Sequence, residues 1–273
     1  MASLPYGSIT SSPLFTFLVG PDQKEHTIHS ALVAHQSKAL NALVNGHMKE
    51  ATERRVVWKE TSEDTFIRFS QYAYTGSYDE AEPHKREDEE TSPDPDKIEE
   101  TEQNEAITLP SNTRRPKKEA PAPQTPFFET KRERLWDTFN RLHTRKLAKP
   151  EQRITLPDDD YTHVFLCHAQ VYVFADYHGI DALQSLALHK LRRALTQFVL
   201  FPGGRSDISK LVQYTFNETG DKGEQADALR SLVCFYTACK ADDLWKSAEF
   251  QDLTRTVPEF SKGFINVLLN RLD

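Results

Sequence analysis

A change of composition at Asp79 governs what this chain can fold into. Upstream, short apolar runs alternate with turn residues. From 79 to 105 Glu and Asp dominate, Pro83, Pro93 and Pro95 interrupt the backbone, and apolar side chains almost vanish. Such a stretch cannot bury enough surface to offset the entropy of ordering it, so it is expected to be disordered. The charge then changes sign at Arg114, Arg115, Lys117 and Lys118, with Lys131, Arg132 and Arg134 beyond. Order is expected to resume near Phe127. Phe128, Leu135, Trp136, Phe139 and Leu142 recur at helical spacing, describing an amphipathic helix that needs a surface to lie on. The chain therefore reads as two ordered blocks separated by an unpacked acidic-then-basic insertion over 79–126.

In the first block, residues 1–12 are small and polar and are expected to fray. Leu14-Phe15-Thr16-Phe17-Leu18-Val19 is rich in strand formers and ends at the turn residues Gly20-Pro21-Asp22. His26-Thr27-Ile28 then returns as the second arm of a hairpin. A helix starts at His29, with Leu32 and Val33 on one face. A second follows with Ser37 as N-cap and Leu40, Leu43 and Val44 inward, stopped by Asn45-Gly46. Arg55-Val56-Val57-Trp58 reads as a third strand. Thr61-Ser62-Glu63-Asp64 opens a helix whose acidic first turn suits its dipole. That helix buries Phe66, Phe69, Tyr72 and Ala73 and ends at Gly76.

The second block is helical. Val164, Phe165, Val171, Tyr172 and Ala175 mark one face of a helix closing at Gly179. Ile180, Leu183, Ala187, Leu191, Ala194 and Phe198 mark the next. After the breaker Phe201-Pro202-Gly203-Gly204, further helices are expected over about 205–217, 225–241 and 258–272, with a short one near Trp245.

Several function classes lack support. With 38% hydrophobic and 27% charged residues and a net charge of −7, the chain fits a soluble globular protein carrying unpacked sequence. No basic-then-apolar leader and no apolar run of about 18 residues suggests secretion or membrane insertion. The odd set Cys167, Cys234 and Cys239 has no paired spacing, which points to reduced thiols in the nucleus or cytosol. Direct nucleic-acid binding is not expected, because no zinc-finger spacing, helix-turn-helix or basic zipper is present. Neither is an enzyme or a cofactor, since no Gly-x-Ser-x-Gly, P-loop or dinucleotide fingerprint occurs. His163 and His168 are five residues apart, the wrong spacing for two metal ligands on one helix face. Asp158-Asp159-Asp160 reads as an acidic cluster at a helix start. Arg114-Arg115-Pro116-Lys117-Lys118 has two readings: a nuclear import signal, or a solvated counterpart to the acidic stretch.

The element order, with His29…Val33-Ala34-His35-Gln36-Ser37, Tyr74-Thr75-Gly76 and Val171-Tyr172-Val173-Phe174-Ala175-Asp176-Tyr177-His178-Gly179-Ile180…Leu183, resembles the BTB/POZ family. Val33 stands where the family's His-x-x-x-Leu-Ala-x-x-Ser signature has Leu. The segments Val44–Ala51 and Tyr72–Gly76 are similar in wording to fungal members. The resemblance covers 13–78 and 160–200. It implies an α+β BTB/POZ fold, a short mixed sheet with helical hairpins, interrupted by the insertion. The region 127–159 would be an amphipathic helix and connector, and 201–273 an all-helical extension in the position of a BACK-like region. The resemblance also implies a protein-interaction module, either a substrate adaptor of a cullin-3 ubiquitin ligase or a non-ligase scaffold or transcription-associated regulator acting by self-association. In the first case Met48, Glu50 and Tyr74 would face the cullin, Met48-Lys49-Glu50 matching the family's hydrophobic-x-Glu element. The charged pocket of transcription-factor members needs an Asp and a basic residue, and here those positions resemble Leu14 and Gln36, which weakens corepressor binding. Homodimerisation is implied too, although the short lead before Leu14 leaves little chain for strand exchange.

Overall fold

The computed structural model describes residues 4–86, 130–141, 155–221, 223 and 225–269. A short helix, α1 (Tyr6–Thr10), precedes the hairpin of β1 (Leu14–Val19) and β2 (Lys24–His29). The two strands are antiparallel, with Leu14 opposite His29 and Val19 opposite Lys24. Their tight turn places Gly20 at φ 75° and Gln23 at φ 50°, the left-handed region that glycine enters without a Cβ clash. Three helices follow: α2 (Ser30–Gln36), α3 (Lys38–Asn45) and α4 (Lys49–Glu53). They form the crossover that lets β3 (Arg55–Trp58) return parallel to β1, giving a mixed sheet of order β2-β1-β3. The Ser37 hydroxyl accepts the Leu40 N–H at 3.1 Å, and Ser62 accepts that of Thr65 at 3.2 Å. These caps open α3 and α5 (Glu63–Thr75), and Gly76 stops α5 at φ 77°.

Beyond α5 come β4 (His84–Lys85), α6 (Lys131–Arg141), β5 (Asp159–Asp160), α7 (Thr162–Tyr177) and α8 (Asp181–Gln197). The chain continues through α9 (Arg205–Glu218), α10 (Ala228–Cys239), α11 (Ala241–Leu244), α12 (Ala248–Thr256) and α13 (Pro258–Leu269). The fold is α+β, a small mixed three-stranded sheet with helices and a mostly helical C-terminal half. Its centre is α7. The sequence marks a single apolar face on this helix, yet ten of its residues, including Val164, Cys167, His168, Val171 and Phe174, are buried. The reason is that α5, α8 and α9 all pack on it. Packed by three helices, α7 keeps a narrow face of His163, Leu166, Gln170, Val173 and Tyr177 towards the surface.

The expected amphipathic helix near 127–142 is present as α6, with its surface supplied by α10. Phe139 is fully buried, stacks on Trp136 at 5.4 Å and contacts the Tyr236 ring at 5.7 Å. The Lys240 ammonium lies 4.0 Å from the centre of the Trp136 ring, a cation–π contact on the rim of this packing. Phe128, Leu142 and the connector 142–154 lie outside the described residues.

Four expectations need correction. Residues 79–86, assigned by composition to the disordered insertion, are folded. The Tyr78 hydroxyl meets His168 Nδ1 at 2.9 Å, and Lys190 Nζ donates to the Tyr78 carbonyl at 2.6 Å. Glu80 lies 3.5 Å from both His168 and Arg193. Arg86 then reaches the fully buried Asp207 at 2.6 Å. Charge looked like a bar to packing, but α7, α8 and α9 hold the complementary partners. The remainder of the expected insertion, 87–126, lies outside the described residues. Second, residues 1–12 include α1, expected to fray. Ser12 on its C-terminal side accepts the Ala31 N–H at 3.3 Å and so ties it to α2. Third, α12 was not foreseen, although Ser247 caps it at the Phe250 N–H and Phe250 and Leu253 are buried at helical spacing. Fourth, the acidic triplet does more than start a helix. Asp159 pairs with Lys85 at 2.7 Å across the β4–β5 ladder, and only Asp160 accepts from the first turn of α7, at the Thr162 N–H.

Candidate protein-interaction surface

α4 is a single exposed turn, and its sequence explains why it presents Met48 outward. Met48 is its N-cap in extended geometry, and Arg54 ends it in the left-handed region at φ 52°. A five-residue helix has no apolar stripe to bury, so Met48 remains 72% exposed. Glu50 sits in the first turn, where the helix dipole favours a carboxylate, and no described residue pairs with it. Lys49 pairs instead with Glu53, at 3.6 Å. Methionine is unbranched and polarisable, so an exposed one makes adaptable apolar contact with a partner.

Tyr74 lies on the last turn of α5, and the structure joins it to the His29 signature. Its hydroxyl lies 2.7 Å from His29 Nδ1 and 3.3 Å from the His29 N–H, which donates to it. The ring remains half exposed. No described hydrogen bond or ion pair links Tyr74 to Met48 or Glu50. Leu14 is half exposed, whereas Gln36 is buried and donates from Nε2 to the Leu32 carbonyl at 3.1 Å. The basic candidates Arg114, Arg115, Lys117 and Lys118 lie outside the described residues. Among the described residues, no group of three His, Cys, Asp or Glu side chains is placed to hold a metal, and no helix is long and apolar enough to cross a membrane.

Sequence reasoning missed a second feature, an open cleft of about 670 Å³ between the β3–α5 connection, α7 and α9. Its walls include Trp58, Phe174, Tyr177, His178 and Tyr214. The His178 ring lies 4.5 Å from Trp58, 4.4 Å from Phe174 and 4.9 Å from Tyr177. Tyr177 is 84% exposed at the mouth. The only sequence hint was an aromatic–His–Gly end to a helix, which says nothing about Trp58 arriving from a strand.

Burial among these rings pushes the His178 imidazole down to about 4. In the unfolded chain it takes up its proton near pH 6.5, so between those values the unfolded state binds more protons. Stability present in full above pH 6.5 is therefore lost as the pH falls towards 4, by at most ~3 kcal/mol. His168 shifts the opposite way: burial lowers it, but hydrogen bonding and charge from Cys167 and Glu80 leave it raised, so it does not contribute to this loss. Urea midpoints at pH 7 and 4.5 should fall less for His178→Gln than for the parent; equal falls would contradict this assignment.

No protein-family model matches the chain, and no curated protein matches it in sequence.

Proposed function

We propose that the chain is a protein-interaction module of the BTB/POZ type, a binding protein rather than an enzyme, serving as a substrate adaptor of a cullin-3 ubiquitin ligase. The observation that carries this reading is the exposed Met48 on the turn of α4, two residues before Glu50, whose carboxylate pairs with no described residue. Support for the fold assignment comes from the order hairpin, helices, parallel strand, helix, helix pair, and from the His29–Tyr74 contact between two of its motifs. Cys167, Cys234 and Cys239 are buried and form no disulfide, which suits the nucleus or cytosol.

Met48→Ala combined with Glu50→Ala should reduce capture of purified cullin-3 at least ~10-fold, or about 1.4 kcal/mol. The melting temperature should barely move, because both changes are at the surface. Undiminished capture by the double variant would remove the main support.

A second reading, a scaffold that self-associates without a cullin, draws on the sheet order. β2 is an edge strand with no described strand on its outer side, the kind of edge at which a second chain can pair. Dimerisation in light scattering together with no cullin capture would favour it.

A further inference from the structure

The aromatic cleft is distinct from the α4 turn, and the chemistry around it selects an occupant. Glu60 and Glu218 stand on its walls, and neither carboxylate pairs with a described cation. Beyond the lining, Glu63 in the first turn of α5 is already paired, with Lys24 at 2.5 Å and His26 at 3.3 Å, so the charge of the cleft rests on Glu60 and Glu218. Lys59 is the single cation among the lining residues described. An electron-rich set of rings edged by carboxylates attracts a positive side chain through ring quadrupoles and charge together. An anion would meet the same carboxylates with the α5 N-terminus already capped by Ser62.

The backbone beside the cleft indicates how such a side chain arrives. β3 ends at Trp58, and β1 occupies one of its edges only. The Arg54 and Trp58 carbonyls accept from the N–H groups of Thr16 on β1 and of Gly20 just after it, so the intervening Val57 turns its N–H and C=O outward. The Val57 side chain is half exposed and lines the cleft mouth. An extended segment added at this edge gains main-chain hydrogen bonds, while a pocket beside it reads one side chain.

We propose that the β3 edge and the adjoining cleft form a docking site for an extended basic segment of a partner protein, with one Arg or Lys side chain held against the exposed Tyr177 ring and facing Glu218. This site does not require the cullin reading. His178, half-buried among the rings and neutral at physiological pH, offers ring nitrogens with no described hydrogen-bond partner and adds no competing charge.

The test pans a phage-displayed library of random ten-residue peptides against the full-length chain, then measures the winners by fluorescence anisotropy. The expected result is enrichment of one Arg or Lys flanked by alternating strand formers. Binding should weaken at least fivefold for Tyr177→Ala, whose side chain is exposed enough to leave folding intact, and for Glu60→Gln combined with Glu218→Gln. Changing the enriched Arg to Met in the peptide should weaken binding to a similar degree, and added salt should weaken the parent complex. No enrichment, enrichment of apolar peptides without a cation, or binding indifferent to these variants would each overturn the proposal. Cullin-3 capture by Tyr177→Ala should stay at the parent level, so failure here is separable from failure of the α4 turn.

Discussion

Replacing Asp207 with Ala is expected to destabilise the protein by about 3–5 kcal/mol, the cost of leaving a largely buried cation without its partner. Asp207 is fully buried and accepts from Arg86 Nη2 at 2.6 Å, the Tyr161 N–H at 3.0 Å and Thr162 Oγ1 at 3.3 Å. Ser206 Oγ also donates to it, at 3.4 Å, so removing the carboxylate takes the acceptor from four donors. Arg86 keeps its bond to the Asp159 carbonyl at 3.0 Å, so part of the strap stays anchored. Asp207→Asn retains an acceptor of the same shape and should lose less. Arg86→Met with Asp207→Leu should recover much of the loss, since an apolar pair of similar volume replaces the ion pair. Urea denaturation followed by circular dichroism measures all three. A loss below 1 kcal/mol for Asp207→Ala would mean that the strap over residues 79–86 does not fold against α9.

Phe69→Ala should produce a loss of similar size, about 3–5 kcal/mol, for a different reason. Phe69 is fully buried on α5, and its ring lies 5.0 Å from Phe174 on α7, 6.1 Å from Phe66 and 6.4 Å from Trp58 on β3. The cavity left by truncation would sit where the sheet, α5 and α7 converge, with rings on several sides unable to collapse into it. Phe69→Leu should lose less than half as much. The thermal midpoint for Phe69→Ala should fall by roughly 10 °C, given about 2–4 °C per kcal/mol for a protein of this size. A midpoint within 1 °C of the parent would show that the N-terminal block and α7 fold independently.

Much of the local structure was legible because its chemistry sits within a few residues. Ser37 and Ser62 cap helices through N–H groups three positions away, and Gly76 stops α5 in a left-handed turn that it enters without a Cβ clash. The turn of α4 that exposes Met48 was not read from the sequence, which offered Met48-Lys49-Glu50 only through the family resemblance. The cleft was not readable, because its rings come from β3, α7 and α9 and are neighbours only after folding.

By itself, then, the sequence determined the elements: the hairpin, the third strand, the caps, and the long helices marked by apolar periodicity. Only the tertiary structure decided which charged residues pack and which helix becomes central. Arg86 and Asp207 are separated by 121 positions, so no local window contains the partner that lets a charged strap fold. The burial of most of α7 likewise depends on α5, α8 and α9 closing over it. Periodicity records the face a helix needs to bury, whereas packing determines how many faces its neighbours cover.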